Sequence, residues 1–186
     1  MNDAYLLPEL IARSAERAPA APALTDAAQS MNYDALQQAV TAFASGMVGL
    51  GLQRGERIAI YLEKRFETVI ASFGAAAAGC VFVPINPLLK AEQVAYILRD
   101  CNVRALVSSS ERLALLQPAL AACPDLRFQL TVNPEAPPTN DASPSIAWQD
   151  VLQAGANPAA QRVIDSDMVA ILYTSGSTGK PKGVVL

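Results

Sequence analysis

Leu36, Val40, Phe43, Met47 and Leu50 recur at spacings of four, three, four and three, the stripe that one helix face turns toward a core. The pattern predicts a helix over 33–50, with Gly51 placed where a C-terminal cap belongs. A shorter amphipathic helix is expected from Leu6 to Ala18, ended by Pro19. The period then changes. Arg57–Leu62 (RIAIYL) and Cys80–Ile85 (CVFVPI) are continuous apolar runs, expected as buried strands on either side of a helix from about Phe66 to Ala78. A helix through Val94, Ile97, Leu98 and Cys101 and a strand at Ala105–Ser108 follow. Ser108 and Glu111 have capping-box spacing, which predicts a helix starting there and turning Leu113, Leu116 and Leu120 inward.

Phe128–Val132 is expected as a strand, and 133–145, with four prolines and two asparagines, as an exposed loop. Trp148, Val151 and Leu152 suggest one more short helix, and Met168–Tyr173 (MVAILY) a last apolar strand before a glycine-rich turn. Strands alternating with helices predict an α/β fold, a mainly parallel sheet flanked by helices on both faces. The chain closes on Val184, Val185 and Leu186, which read as another strand. That is the expectation for a fragment, and its uncovered apolar edge is expected to favour self-association.

Composition removes several functions. A 52% apolar and 17% charged chain suits a packed fold, and a net charge of −3 supplies no basic face for nucleic acid. The absence of histidine excludes histidine bases, Ser-His triads and histidine-ligated metals from this segment. Cys80, Cys101 and Cys123 are odd in number and unclustered, which argues against a disulfide framework or zinc site and for small buried hydrophobes in a reducing compartment. The N-terminus lacks a signal-peptide pattern, so a cytoplasmic location is expected. Thr68–Leu89 carries no charge, yet Gly74, Gly79, Pro84 and Pro87 interrupt it. A buried helix running into a buried strand is expected there, not a membrane span.

The chemistry concentrates in Tyr173–Gly183, where four Ser/Thr hydroxyls, three glycines and two lysines follow a buried strand. Glycines let backbone N–H groups converge into an anion-binding nest, hydroxyls add donors, and lysine adds charge against phosphate. A solvated polar turn is the plainer reading, but the preceding apolar strand and the paired lysines favour a phosphate loop. Other nucleotide loops do not fit. Gly176 and Gly179 are separated by two residues, not the four of Walker A, and Lys180 precedes Pro181. Gly49, Gly51 and Gly55 follow a helix, not a strand, with the wrong spacing for a dinucleotide fingerprint. No Gly-x-Ser-x-Gly elbow occurs.

The segment YTSGSTGKPKG resembles the phosphate-loop signature of the AMP-forming adenylating superfamily: acyl-CoA synthetases, luciferases and peptide-synthetase adenylation domains. Met31–Leu36 leading through Gly51 to Gly55–Ile60 resembles that family's first helix–strand block. Ala77–Asn86 resembles its next core motif, with Asn86 replacing the commoner acidic residue. The resemblance implies that residues 1–186 are a partial N-terminal AMP-binding domain of an acyl-CoA synthetase-like fold, ending just after the phosphate loop. It implies an ATP- and Mg²⁺-dependent ligase that activates a carboxylic acid as acyl-adenylate and passes it to a thiol, either CoA or the phosphopantetheine of an acyl carrier protein. Thr174, Ser175, Gly176, Ser177, Thr178, Gly179 and Lys182 would hold the ATP phosphates; Lys180 falls where the family varies and is read as a solvated charge. The catalytic residues, adenine pocket and acyl pocket would lie beyond Leu186, so 1–186 alone is expected to be inactive. The stretches Tyr61–Ile70, Asn86–Lys90 and Ile164–Met168 further resemble bacterial acyl-CoA ligases associated with exosortase systems. An amino-acid-activating adenylation domain and a non-catalytic nucleotide-binding module remain as alternatives. Lys64, Arg65 and Glu67 are read as a surface cluster at a helix end.

Overall fold

The computed structural model describes residues 5–132, 143–154, 161–174 and 180–186. Helix α1 (Glu9–Arg17) is followed by an antiparallel pair that the periodicity does not announce, β1 (Pro22–Thr25) with β2 (Ser30–Asn32). Strands of three and four residues are too short for alternation to show. The turn between them is closed by Asp26, whose carboxylate accepts from the backbone N–H of Ala28 at 2.8 Å and of Gln29 at 2.9 Å. β2 runs directly into α2 (Tyr33–Gly49), capped where the side-chain oxygen of Asn32 accepts from the Ala35 N–H at 2.9 Å.

α2 ends as its sequence predicts. Gly51 has φ +80°, its N–H donates to the Val48 carbonyl, and the Leu52 N–H donates to Met47. This is a Schellman turn, and its left-handed residue is the one without a Cβ. α3 (Phe66–Ala77) ends the same way at Gly79, φ +71°, with Gly79 bonded to Ala76 and Cys80 to Ala75.

The main sheet has five parallel strands in the order β4 (Val81–Pro84), β3 (Arg57–Tyr61), β5 (Val103–Ser109), β6 (Phe128–Val132) and β7 (Ser145–Ala147). Its residues alternate between two cores. Ile58, Ile60 and Val107 join Phe43, Met47 and Trp148 under α2, α3 and α6 (Trp148–Ala154). Ala59, Tyr61 and Leu106 join Val94, Ile97, Leu113 and Leu116 under α4 (Ala91–Asp100) and α5 (Ser110–Leu120). The uncharged stretch Thr68–Leu89 is α3 running into β4, and no helix among the described residues is long and apolar enough to cross a membrane.

Two local expectations need correction. The cap of α5 is Ser109, not Ser108: Ser109 Oγ accepts from the Arg112 N–H at 3.4 Å. Pairing with Val132 draws β5 out to Ser109 and leaves Ser108 buried, its Oγ donating 2.8 Å to the Tyr61 carbonyl. At the end of the expected loop, Ser143 is buried and Ser145 opens β7. Gln129 Nε2 donates 2.6 Å to Ser143 Oγ, and Thr131 Oγ1 lies 2.9 Å from Ser145 Oγ, so polar cross-strand pairs seat a segment with little apolar pattern. Residues 133–142 of that loop lie outside the described residues.

β8 (Ile171–Thr174) and β9 (Lys182–Val185) form a separate antiparallel pair. A parallel bridge between Phe82 and Ala170, with the Phe82 N–H 3.1 Å from the Val169 carbonyl, joins it to the edge of the main sheet. β8 therefore starts beside β4, then leaves it to pair with β9.

Candidate functional site

Of the residues expected to hold phosphate, Ser175, Gly176, Ser177, Thr178 and Gly179 lie outside the described residues. Thr174 and Lys182 lie inside, and the hairpin brings them face to face as the β8–β9 pair nearest the connecting segment. Both are exposed, as is Lys180. The hairpin thus presents a hydroxyl and an ammonium side by side at the rim of 175–181, a donor set suited to an anion.

The next pair inward, Tyr173 opposite Gly183, explains the local shape. A Cβ on Gly183 would sit 2.8 Å from Ile171 Cγ2 and 3.2 Å from Tyr173 Cζ. The Tyr173 ring thus lies across the glycine and covers it, an arrangement that shields bare backbone in β-pairs. From there the Tyr173 hydroxyl donates 2.6 Å to Asp100 Oδ2, at the last residue of α4. Burial, then the Asp100 carboxylate, push the Tyr173 pKa well above the usual phenol range, so the group is a fixed donor. Ile171, on the same face of β8, packs into the core beneath α4 and α5. Sequence reasoning did not find Asp100. It lies 73 residues from its partner, and no spacing rule connects them.

The lead-in to β8 is also tied down. Asp167 pairs with Arg54 and accepts from the Ile164 N–H at 3.0 Å, while Gln161 Nε2 donates 3.0 Å to the Leu52 carbonyl.

The other place to look for a ligand is the crevice at the carboxyl ends of β3 and β5, where the strand order reverses. Side chains of the protein bond to one another there. Arg112 pairs with Glu63, donates 2.8 Å to the Pro87 carbonyl, and stacks on Tyr61. Nearby, Arg65 and Glu67 pair with each other at 3.1 Å at the start of α3, as a helix-end cluster. Among the described residues no three metal-ligating side chains converge.

Comparison with known proteins shows the family of the chain. The model of the AMP-binding enzyme family matches residues 11–186. The chain belongs to that family. The chain is 33% identical over 184 residues to phosphinothricin tripeptide synthetase PhsB of Streptomyces viridochromogenes, covering 98% of the chain and 14% of that protein. It is 34% identical over 163 residues to a 4-hydroxybenzoate–CoA/benzoate–CoA ligase of Rhodopseudomonas palustris, covering 88% of the chain and 29% of the ligase. Among solved structures, VinN in complex with L-aspartate matches 97% of the chain and 43% of that protein, at TM-score 0.76 and 31% identity. The anthranilate–CoA ligase AuaEII, bound to anthranoyl-AMP, matches all of the chain and 35% of that protein at TM-score 0.87; at 24% identity this shows a shared fold. The chain thus spans 14% and 29% of the two curated relatives.

Proposed function

We propose that residues 1–186 form the first α/β unit of the AMP-binding domain of an ATP-dependent acid–thiol ligase, with Thr174, Ser175, Gly176, Ser177, Thr178, Gly179 and Lys182 around the β- and γ-phosphates. The observation that carries this reading is the facing pair Thr174–Lys182 at the rim of a Ser/Thr/Gly-rich segment, in a chain of the AMP-binding enzyme family. Bound ATP supplies the adenylyl group to a carboxylate, with pyrophosphate leaving, and the thiol of CoA or of a carrier's phosphopantetheine then takes the acyl group, with AMP leaving. Within that reaction this chain's residues bind and orient. Lys182 sets a positive charge, and Thr174 a hydroxyl, against phosphates that gain charge as they leave. The described residues fit phosphate, but they offer no carboxylate set for Mg²⁺, so no metal ligand is assigned among them.

The complete product of the reading frame is expected to catalyse ATP–pyrophosphate exchange in the presence of its acid, and residues 1–186 alone are expected not to. Lys182→Ala should lower exchange about tenfold or more, as loss of a charge-assisted phosphate contact does. Unchanged exchange in that variant would overturn the phosphate assignment. A second reading, an amino-acid-activating adenylation domain, is favoured by 33% identity across 98% of the chain to a tripeptide synthetase. An exchange assay with amino acids against aryl and aliphatic acids separates the two.

A further inference from the structure

Among the described residues, three contacts hold the β8–β9 hairpin itself, beyond the Asp167–Arg54 and Gln161–Leu52 ties on its lead-in. The Phe82–Ala170 bridge holds its base and Ile171 packs into the core. The third, nearest the phosphate rim, is Tyr173, whose ring packs against the core beneath α4 and whose hydroxyl donates to Asp100. β9 adds little, since all four of its residues are exposed. Asp100, by contrast, stands on a firm base. Val94, Ile97 and Leu98 bury α4 in the core. The Arg57 guanidinium donates to the carbonyls of Cys101 and Asn102 directly after it, and Asn102 Nδ2 donates 2.8 Å to Asp125.

We infer that Asp100 is a positioning residue for the phosphate site: it holds Tyr173, and through Tyr173 it sets where Thr174 and Lys182 stand. Thr174 follows Tyr173 in the chain, and Lys182 is bonded across from Thr174. Releasing the phenol removes the tie between α4 and the residue whose ring lies over Gly183. Both rim residues then lose the contact that orients the end of the hairpin. This rests on the reading of 174–182 as a phosphate site. It adds a residue outside that segment, acting without touching nucleotide.

The test is equilibrium binding of Mg-ATP to the complete product of the reading frame, by calorimetry, with steady-state ATP KM and kcat beside it. Asp100→Ala is expected to raise the ATP Kd about five- to tenfold, less than the full worth of a hydrogen bond to a charged group because the bond acts on the site through Tyr173. KM should move more than kcat. Asp100→Asn should return the Kd to within about twofold, because the amide oxygen still accepts. Tyr173→Phe keeps the ring over Gly183 and removes only the hydroxyl. It should match Asp100→Ala, and the double variant should be no weaker than either single. A Kd in Asp100→Ala and Tyr173→Phe within about twofold of the parent, alongside a large loss in Lys182→Ala, overturns the positioning role and leaves the phosphate reading standing. Affinity unmoved by Lys182→Ala as well overturns both. Fully multiplicative effects in the double variant overturn the coupling.

Discussion

The guanidinium of Arg112 lies over the ring of Tyr61, 4.8 Å from its centroid, beyond the carboxyl ends of β3 and β5, where the main sheet reverses its strand order. Its Nη1 donates 2.8 Å to the Pro87 carbonyl and its Nε 2.9 Å to Glu63. Glu63 is more than half exposed, so solvent screens that ion pair. Stacking and the carbonyl bond carry most of the effect. Arg112→Ala is expected to lower stability by about 1–2 kcal/mol in urea titration. If the nucleotide sits at the hairpin, the same variant leaves ATP affinity unchanged. A large loss of affinity would move the site into the crevice.

Helices α2 and α3 approach closely in the larger core. A Cβ on Gly74 would come 2.6 Å from Cδ1 of Phe43, and the Phe43 ring packs 5.0 Å from that of Trp148. Gly74→Ala must displace Phe43, and it is expected to cost about 1–3 kcal/mol despite the better helix propensity of alanine. Trp148 is the chain's one tryptophan and is buried, so its emission reports the change directly. Unfolding should shift it to the red, at a lower denaturant concentration in the variant.

Acid should loosen the segment before β8. Hydrogen bonds from Arg54 and from the Ile164 N–H hold Asp167 below the usual carboxylate range. Hydrogen bonds from Asn102 and Arg104 do the same for Asp125. A depressed carboxylate contributes stability above its unfolded pKa and loses it as pH falls through the folded value. The urea midpoint should therefore drop as pH falls below about 4. Asp167→Asn should flatten the drop. An identical pH profile in that variant would show that Asp167 contributes none of it.

The three cysteines should be inert in the native state. All are buried, and desolvation pushes the Cys80 thiol up to about 12 and raises Cys101 and Cys123. Iodoacetamide at pH 8 is expected to modify none of them in folded protein and all of them in urea, as read by intact mass. Rapid labelling of Cys80 in folded protein would contradict its burial.

Elements whose signal is local were legible in the sequence. The stripe from Leu36 to Leu50 forms α2, Gly51 and Gly79 take the left-handed φ that helix ends require, and the runs RIAIYL and CVFVPI lie in the two strands at the buried edge of the reversal. β1, β2 and β7 were not legible, because three or four residues do not establish a period and Pro144 stands directly before β7. The candidate site divides in the same way. Thr174 and Lys182 stand in the motif, whereas Asp100 carries no mark in the sequence until α4 is packed beside β8.

The sequence by itself determined the alternation of strands and helices, the glycine-ended turns and the family, because these depend on neighbouring residues and on their order along the chain. Only the tertiary structure decided the rest: the strand order β4-β3-β5-β6-β7, the turning of Ser108 inward, the stacking of Arg112 on Tyr61, and the reach of Tyr173 to Asp100. Each joins residues far apart in the chain. Such contacts form when whole elements find a common face, and no local pattern records which face that will be.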